Sequence, residues 1–588
     1  MLTRYRLPLQ DLDELAAGAG SPATIAALRS TQHSRRLILL RALLDAAEQC
    51  SHKDLLAGFE LLCQAEHHDP AAAAEALGYP FAGSWAAHCL RRLTGADPGD
   101  GSVATDLSHL GGIAAVAAIR ARVPFSIDVP VRGDAAYLPS LGRLTAVNGP
   151  AVTVHSDGHQ PMAAGRPLFT APTWQPVHRM TLAAEGQSLS IALDDIDPFR
   201  GGPRLPLAPR LSAVAVRDWA RALGQAWTVL ARHHGDDARG LAAGLVAIVP
   251  MVTQPGRGVN ATHRESFGAA AMSAVSDPVA LAVGLLHEFQ HGKLNAILDL
   301  AQLLTPDAGR YYAAWRQDPR PLSGLLHGAY AYVGVCDFWR VQAGLPGTPH
   351  RAYAQMELAR WSGSTGRALA VLLGSGRLTR AGERFVLGLR ARADSWQAQE
   401  MPQEVTRLAW LAATDHRVSW RLRNLRPRAE AVDALARAWL AGQPVPVAVA
   451  QATPDLRDGG VALGASSRLD LINLRLREPS RLAMMARRGD ADPADADLVS
   501  GNRAQAATTY LDRIGPDDAD GWAGLALALG ETIPALRHAP ELVRALYARL
   551  LELSGAAPDP RQLASWLSPA APMDPVQASG PESPSPSQ

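Results

Sequence analysis

The sequence predicts an α+β fold that is predominantly α, with a small β section and an HExxH helix at its core and helical regions on both flanks. Three observations lead there. Ala- and Leu-rich runs of helical character fill both ends of the chain. Between about residues 124 and 195, apolar and polar residues alternate around turn dipeptides, as they do in hairpins. The stretch from Ser276 ends in His287-Glu288-Phe289-Gln290-His291, which puts two imidazoles four residues apart on one helical face.

In chain order, the expected parts are an N-terminal helical region over 1–123, a metal-binding core with the β section over 124–345, a C-terminal helical region over 346–570 and a disordered tail over 571–588. Strong helix formers at 37–47 and 71–77 define the first part. Its Glu66, His67 and His68 are adjacent, so their side chains diverge on a helix and are expected to be solvated surface rather than a ligand cluster. The β section opens near Pro124, turns at Gly133-Asp134 and closes with the run Met180 to Asp194. A helix is expected over about 211–234 and an apolar strand over 244–252. Arg264 to Ser273 is a second strand candidate, either offering an edge to an extended peptide or buried as structure. Residues 502–528 look like one tetratricopeptide-type helical pair, expected to pack rather than bind because no copies follow at the repeat period.

Composition narrows the function. With 57 basic against 56 acidic residues the formal charge is +1, so nothing points to nucleic acid or an anionic membrane as a partner. Nearly all the positive charge is Arg, Lys53 and Lys293 being the only lysines. Cys50, Cys63, Cys89 and Cys336 have neither metal spacing nor the density of a disulfide framework, and are expected to be buried free thiols. The first residues lack the apolar run of a signal peptide and no stretch is long enough to span a bilayer, which leaves the cytoplasm as the default location.

The HExxH helix has its own start signals: Ser276 is the expected N-cap, Asp277 favours the positive helix end and Pro278 is tolerated in the first turn. Its metal face runs Ala280, Gly284, His287, His291, and the small residues leave room for a ligand or a second helix. Without such a use, Gly284 costs helix stability of about 1 kcal/mol. The bland alternative is a pair of hydrogen-bonded core histidines.

Two His and a Glu in this pattern commonly hold zinc in a zincin-like peptidase core, the Glu activating a water. The third ligand separates the possibilities. The long metzincin form requires Gly and His where this chain has Leu294 and Ile297, and no Glu stands between Glu288 and Glu357 to complete the other common arrangement. Asp299 lies two turns beyond His291, roughly 12 Å along the axis and too far to share an ion. His327 is the best third candidate: Ser323 is expected to cap a helix carrying it in the first turn, with Gly324, Gly328, Ala331 and Gly334 permitting close approach to the first helix. Neutral imidazole suits zinc and iron alike. A three-residue cap also suits iron(II) oxygenases, which bind a 2-oxo dicarboxylate and need a guanidinium for its far carboxylate. Arg316 and Arg320 are the candidates, the alternative for each being an ion pair with Asp318 or plain solvation.

Taken together, the segments RESFG (264–268), HEFQHGKLNAILDL (287–300) and WRQDPRPLSGLLHGAYAY (315–332) resemble the HExxH-type, 2-oxoglutarate-dependent peptide β-hydroxylases of ribosomal peptide natural-product pathways. The resemblance is strongest over about 260–345 and looser over the β section. It implies iron(II) bound by His287, His291 and His327, with 2-oxoglutarate and dioxygen as cosubstrates. The implied product is a hydroxyl on a side-chain β-carbon of a precursor peptide. Glu288, the candidate catalytic carboxyl, would then orient a ligand or hold bound water rather than act as general base. The chain lacks the clustered cysteines of a fused radical-SAM domain, which implies a stand-alone modifying enzyme. Two alternatives stand beside this: a zinc metallopeptidase of HExxH type, and a non-enzymatic interaction protein with a vestigial metal site.

Overall fold

The computed structural model describes residues 7–48, 53–96, 102–202, 205–252, 258–396, 400–457 and 467–570; Cys50 and the expected disordered tail lie outside them. The fold is α+β and predominantly α. The chain divides into two compact units, Met1–Leu303 and Leu304–Gln588.

Among the described residues the first unit opens with seven helices: α1 (Leu9–Ala16), α2 (Pro22–Glu48), α3 (Lys53–His68), α4 (Pro70–Gly78), α5 (Pro80–Leu93), α6 (Val103–Ser108) and α7 (Leu110–Ala121). Glu66, His67 and His68 are exposed on α3, as expected of adjacent helical residues. Cys89 is buried, but Cys63 is exposed, contrary to the expectation of buried thiols. Arg122, in the left-handed conformation at φ 55°, ends α7 and turns the chain into the sheet.

Nine strands follow: β1 (Phe125–Arg132), β2 (Ala135–Leu138), β3 (Gly142–Leu144), β4 (Ala151–Ser156), β5 (Pro161–Ala163), β6 (Arg166–Pro167), β7 (Trp174–Pro176), β8 (His178–Ala184) and β9 (Gln187–Leu193). The first seven form an antiparallel sheet in the order β6-β5-β4-β1-β2-β3-β7. The Gly133-Asp134 turn sets the register of β1 on β2, pairing Arg132 with Ala135. Helix α7 lies flush on this sheet because Gly111 and Gly112 carry no Cβ: one at Gly111 would stand 2.7 Å from the carbonyl oxygen of Asp128, and one at Gly112 would strike that of Tyr137.

A second sheet has the order β11-β12-β10-β9-β8. Strands β8 and β9 form a hairpin whose turn residues Glu185 and Gly186 both adopt positive φ, the geometry of a tight two-residue turn. From β9 the chain crosses through α8 (Ala213–His233) and α9 (Gly235–Gly244) to the parallel strand β10 (Ala247–Met251), all of whose residues are buried. Strand β11 (Asn260–Ala261) and strand β12 (Ala269–Ser273) complete the sheet, β12 running parallel to β10. The edge belongs to β11, which pairs Asn260 with Met272 and Ala261 with Ala271. Of the stretch Arg264 to Ser273 only Ala269–Ser273 is strand, lying inside the sheet between β10 and β11, while Arg264 precedes it and is exposed. Helix α10 (Pro278–Leu298) follows and packs against α8, α2 and β12.

The second unit is helical. It begins with α11 (Leu322–Gly344), α12 (Arg351–Gly374), α13 (Arg380–Asp394) and α14 (Gln403–Asn424), and continues in shorter helices to Pro560–Leu567. Helix α11 packs along α12, and α12 against α14. The expected helical pair is present as Arg503–Arg513 and Ala519–Leu529, with the Tyr510 ring seated on Gly524. It is a packing element: buried Arg468 of the Ser467–Arg477 helix bonds Asp415 at 2.8 Å, Asp495 at 3.0 Å and Asp520 at 2.7 Å, tying the pair to its neighbours. No helix among the described residues is long and apolar enough to cross a membrane.

Candidate metal centre

Helix α10 starts one residue later than its expected cap. Asp277, not Ser276, is the N-cap, its carboxylate accepting hydrogen bonds from the backbone N–H of Val279 at 2.9 Å and Ala280 at 3.2 Å. A carboxylate adds charge complementarity to the capping hydrogen bond, which a serine hydroxyl does not. At the other end Asp299 opposes the helix dipole and is held by counter-charges, Arg35 at 3.2 Å and Arg264 at 3.2 Å, with Gln32 donating at 3.0 Å. Asp299 thus belongs to an ion-pair network.

Between these ends the four-residue spacing brings the two imidazoles together. The Nε2 atoms of His287 and His291 are 3.1 Å apart and the rings meet edge to face, centroids 4.7 Å apart. Two nitrogens bonded to one ion at about 2.1 Å stand about 3.0 Å apart at a right angle and about 3.4 Å apart at the tetrahedral angle, so this spacing fits two ligands of one ion. Burial pushes His287 down to about 4, which keeps the ring neutral near pH 7, the state a metal ligand requires.

Glu288 is buried, 3% exposed. Burial pushes its carboxyl up to about 7, against the opposing pull of a hydrogen bond from Thr262. The Thr262 hydroxyl lies 2.7 Å from Glu288 Oε2 and 2.9 Å from the Glu288 carbonyl oxygen, while Glu288 Oε1 is 3.9 Å from His287 Nε2. Thr262 was not legible in advance: it stands in the loop after β11, 26 residues from its partner, with no motif to mark it.

The rest of the motif anchors the helix. Gln290 Nε2 donates to the carbonyl oxygen of Gly18 at 2.8 Å, and Lys293 Nζ donates to those of Gly18 and Ala19 at 2.9 Å each. These carbonyls follow α1, so a buried cation meets the negative end of that helix. Its rarity in so Arg-rich a chain was the one available signal of this role. Gly284 makes room for strands rather than for a second helix: a Cβ there would stand 2.8 Å from Asn260 Nδ2 and 3.0 Å from Met272 Cε.

The remaining candidates lie in the second unit. Helix α11 begins at Leu322 with Pro321 as its N-cap, so Ser323 is inside the helix and His327 falls in the second turn, not the first. The preset φ of Pro321, at −64°, starts the helix without a side-chain cap. Gly328 accommodates the Trp315 indole, which would collide with a Cβ there, and Gly324 accommodates the Arg320 side chain, 3.1 Å from such an atom. Trp315 in turn stacks on Tyr332, centroids 5.0 Å apart. Arg316 and Arg320 converge on one carboxylate: Arg316 Nε lies 3.0 Å from Asp318 Oδ1, and an Arg320 terminal nitrogen 2.9 Å from Asp318 Oδ2. Among the described residues, no group of three or more His, Cys, Asp or Glu side chains is gathered closely enough to hold a metal ion. Compared with known proteins, the chain matches no protein-family model, and no curated protein matches it.

Proposed function

We propose that this chain is an iron(II)- and 2-oxoglutarate-dependent oxygenase that hydroxylates side-chain β-carbons of a ribosomally made precursor peptide, working from a zincin-like core. The observation that carries the reading is the 3.1 Å convergence of the His287 and His291 ring nitrogens on one helix. The resemblance of the segments 264–268, 287–300 and 315–332 to peptide β-hydroxylases selects the chemistry.

In this proposal His287, His291 and His327 hold the metal, and bound iron(II) supplies the chemistry with dioxygen that protein side chains lack. The chain's own residues bind and orient. Thr262 fixes the Glu288 carboxyl beside His287, which sets the environment of that ligand. Arg316 or Arg320 receives the far carboxylate of 2-oxoglutarate in competition with Asp318. The overall reaction balances as peptide C–H, dioxygen and 2-oxoglutarate giving peptide C–OH, carbon dioxide and succinate.

The test is turnover. Chain purified without air is given iron(II), 2-oxoglutarate and candidate precursor peptides, and air is then admitted. The proposal expects succinate and a peptide heavier by one oxygen atom; backbone cleavage with zinc and no need for 2-oxoglutarate would overturn it. A zinc metallopeptidase is the second reading, favoured by one observation: a buried carboxyl raised to about 7 beside a paired imidazole is suited to a general base acting near neutral pH.

A further inference from the structure

A cavity of about 220 Å³ lies within the first unit, beside α2. Arg29, Ser30, His33 and Arg36 line it from α2, recurring three and four residues apart along one helical face. Ala74 and Gly78 of α4, with Val246 and Phe267 ahead of β10 and β12, form other parts of its wall. No carboxylate lines it among the described residues.

Arg36 is 6% exposed, yet its hydrogen bonds go to two neutral groups. Nη1 donates to the carbonyl oxygen of Gly78 at 2.8 Å and Nη2 to that of Phe267 at 3.3 Å. Both residues line the cavity, so the charged head is part of its wall. A guanidinium has five N–H donors, and these bonds use two of them. Gly78 ends α4, and the negative end of a helix supplies roughly half an elementary charge, short of a counter-ion. No ion pair reaches Arg36 among the described residues; its neighbour Arg35 is the one that takes Asp299, at 3.2 Å. Burial, with Arg35 and Arg29 close by, pushes Arg36 down to about 10, so the group stays charged near pH 7. A buried charge without a counter-charge strongly destabilises a fold. Arg29 is exposed and adds a second positive charge, its partner being the carbonyl oxygen of Ala243 at 3.0 Å. Between them in sequence, His33 is lowered by burial and by Arg36, against the pull of exposed Glu66 on α3.

We infer that this cavity binds a phosphate group, as the free ion or as a small monoester, taken by the guanidinium groups of Arg29 and Arg36 with the Ser30 hydroxyl and the His33 ring as further donors. A phosphate dianion brings three acceptor oxygens and the charge that two guanidinium groups balance. A carboxylate brings half that charge and one oxygen fewer. The cavity is smaller than the roughly 300–1,000 Å³ of pockets for drug-sized ligands, which suits a compact one. None of these residues belongs to the proposed metal site, and phosphate binding here is independent of the oxygenase reading.

The experiment is calorimetric titration of the chelator-treated full chain with inorganic phosphate, phenyl phosphate and benzoate, at low salt and about pH 8, where a phosphate monoester is a dianion. At least one of the two phosphates should bind with a Kd of about 1 mM or tighter, and benzoate at least about tenfold more weakly. The tighter phosphate identifies the source: inorganic phosphate the free ion, phenyl phosphate a monoester. Arg29→Gln, at an exposed position, should weaken binding about tenfold with the melting curve retained. Arg36→Gln removes the buried charge and should bind neither phosphate. Arg166→Gln, at an exposed arginine of β6, should bind as the parent does. The proposal is overturned if neither phosphate binds, if benzoate binds as tightly, if Arg29→Gln or a folded Arg36→Gln binds as the parent does, or if Arg166→Gln weakens binding as much as Arg29→Gln.

Discussion

Glu288→Gln puts the buried carboxyl to a quantitative test. Its ordinary value of 4.5 is raised to about 7, first by burial. A carboxyl whose folded value lies above its unfolded one binds its proton more tightly in the fold. That contribution to stability is complete below about pH 4.5 and is lost as pH rises through about 7. The span of roughly 2.5 units at 1.36 kcal/mol each amounts to about 3 kcal/mol, undiscounted for solvent because the side chain is 3% exposed. Glutamine keeps the size and the oxygen that accepts from Thr262, and it does not ionise. The assay is urea denaturation of chelator-treated parent and variant at about pH 5, 6.5 and 8. Near pH 5 the two should have similar stability, and by pH 8 the variant should be ahead by about 2–3 kcal/mol. A difference that stays flat within about 0.5 kcal/mol across this range would refute the buried, proton-holding state of Glu288.

Other perturbations probe the supports. Lys293→Met fills similar space but leaves the carbonyls of Gly18 and Ala19 without their charged donor, a loss of about 2–3 kcal/mol. Hydrogen exchange over residues 9–19 should speed up, and unchanged exchange would deny that Lys293 anchors α1. Gly328→Val drives two methyl groups into the Trp315 indole, which its stack on Tyr332 holds in place, and should lower stability by about 2–3 kcal/mol. An unaltered melting temperature would show that the indole moves aside freely. Asp318→Asn removes the carboxylate that Arg316 and Arg320 now share, so the KM for 2-oxoglutarate should fall several-fold if either arginine binds the cosubstrate. An unchanged KM would move that role to other residues.

The parts of the fold that could be read from the sequence are those set by local stereochemistry. Gly133-Asp134 and Glu185-Gly186 demand tight turns, and both hairpins formed there. The apolar run at 244–252 is too continuous for a half-exposed strand, and it became the central strand β10. The pairing of His287 with His291 likewise follows from a four-residue spacing on any regular helix. Boundaries were less legible because adjacent residues compete for one role, as Ser276 and Asp277 did for the α10 cap. Least legible was what occupies the space beside a small residue. Gly284 and Gly328 announced close approach, but a missing Cβ does not say of what: the neighbours are Asn260 with Met272 in one case and Trp315 in the other. Thr262 carries no pattern at all, since a hydroxyl that meets a carboxyl from a distant loop is fixed by tertiary packing alone.

Anaerobic titration with iron(II) probes the three-histidine site itself, comparing the parent with His287→Ala, His291→Ala and His327→Ala. The parent chain should bind one iron tightly, and each substitution should weaken the affinity at least about tenfold with the fold retained. Iron bound by His327→Ala as tightly as by the parent would contradict the proposed three-histidine site, and a parent chain that bound no iron would contradict the metal centre itself.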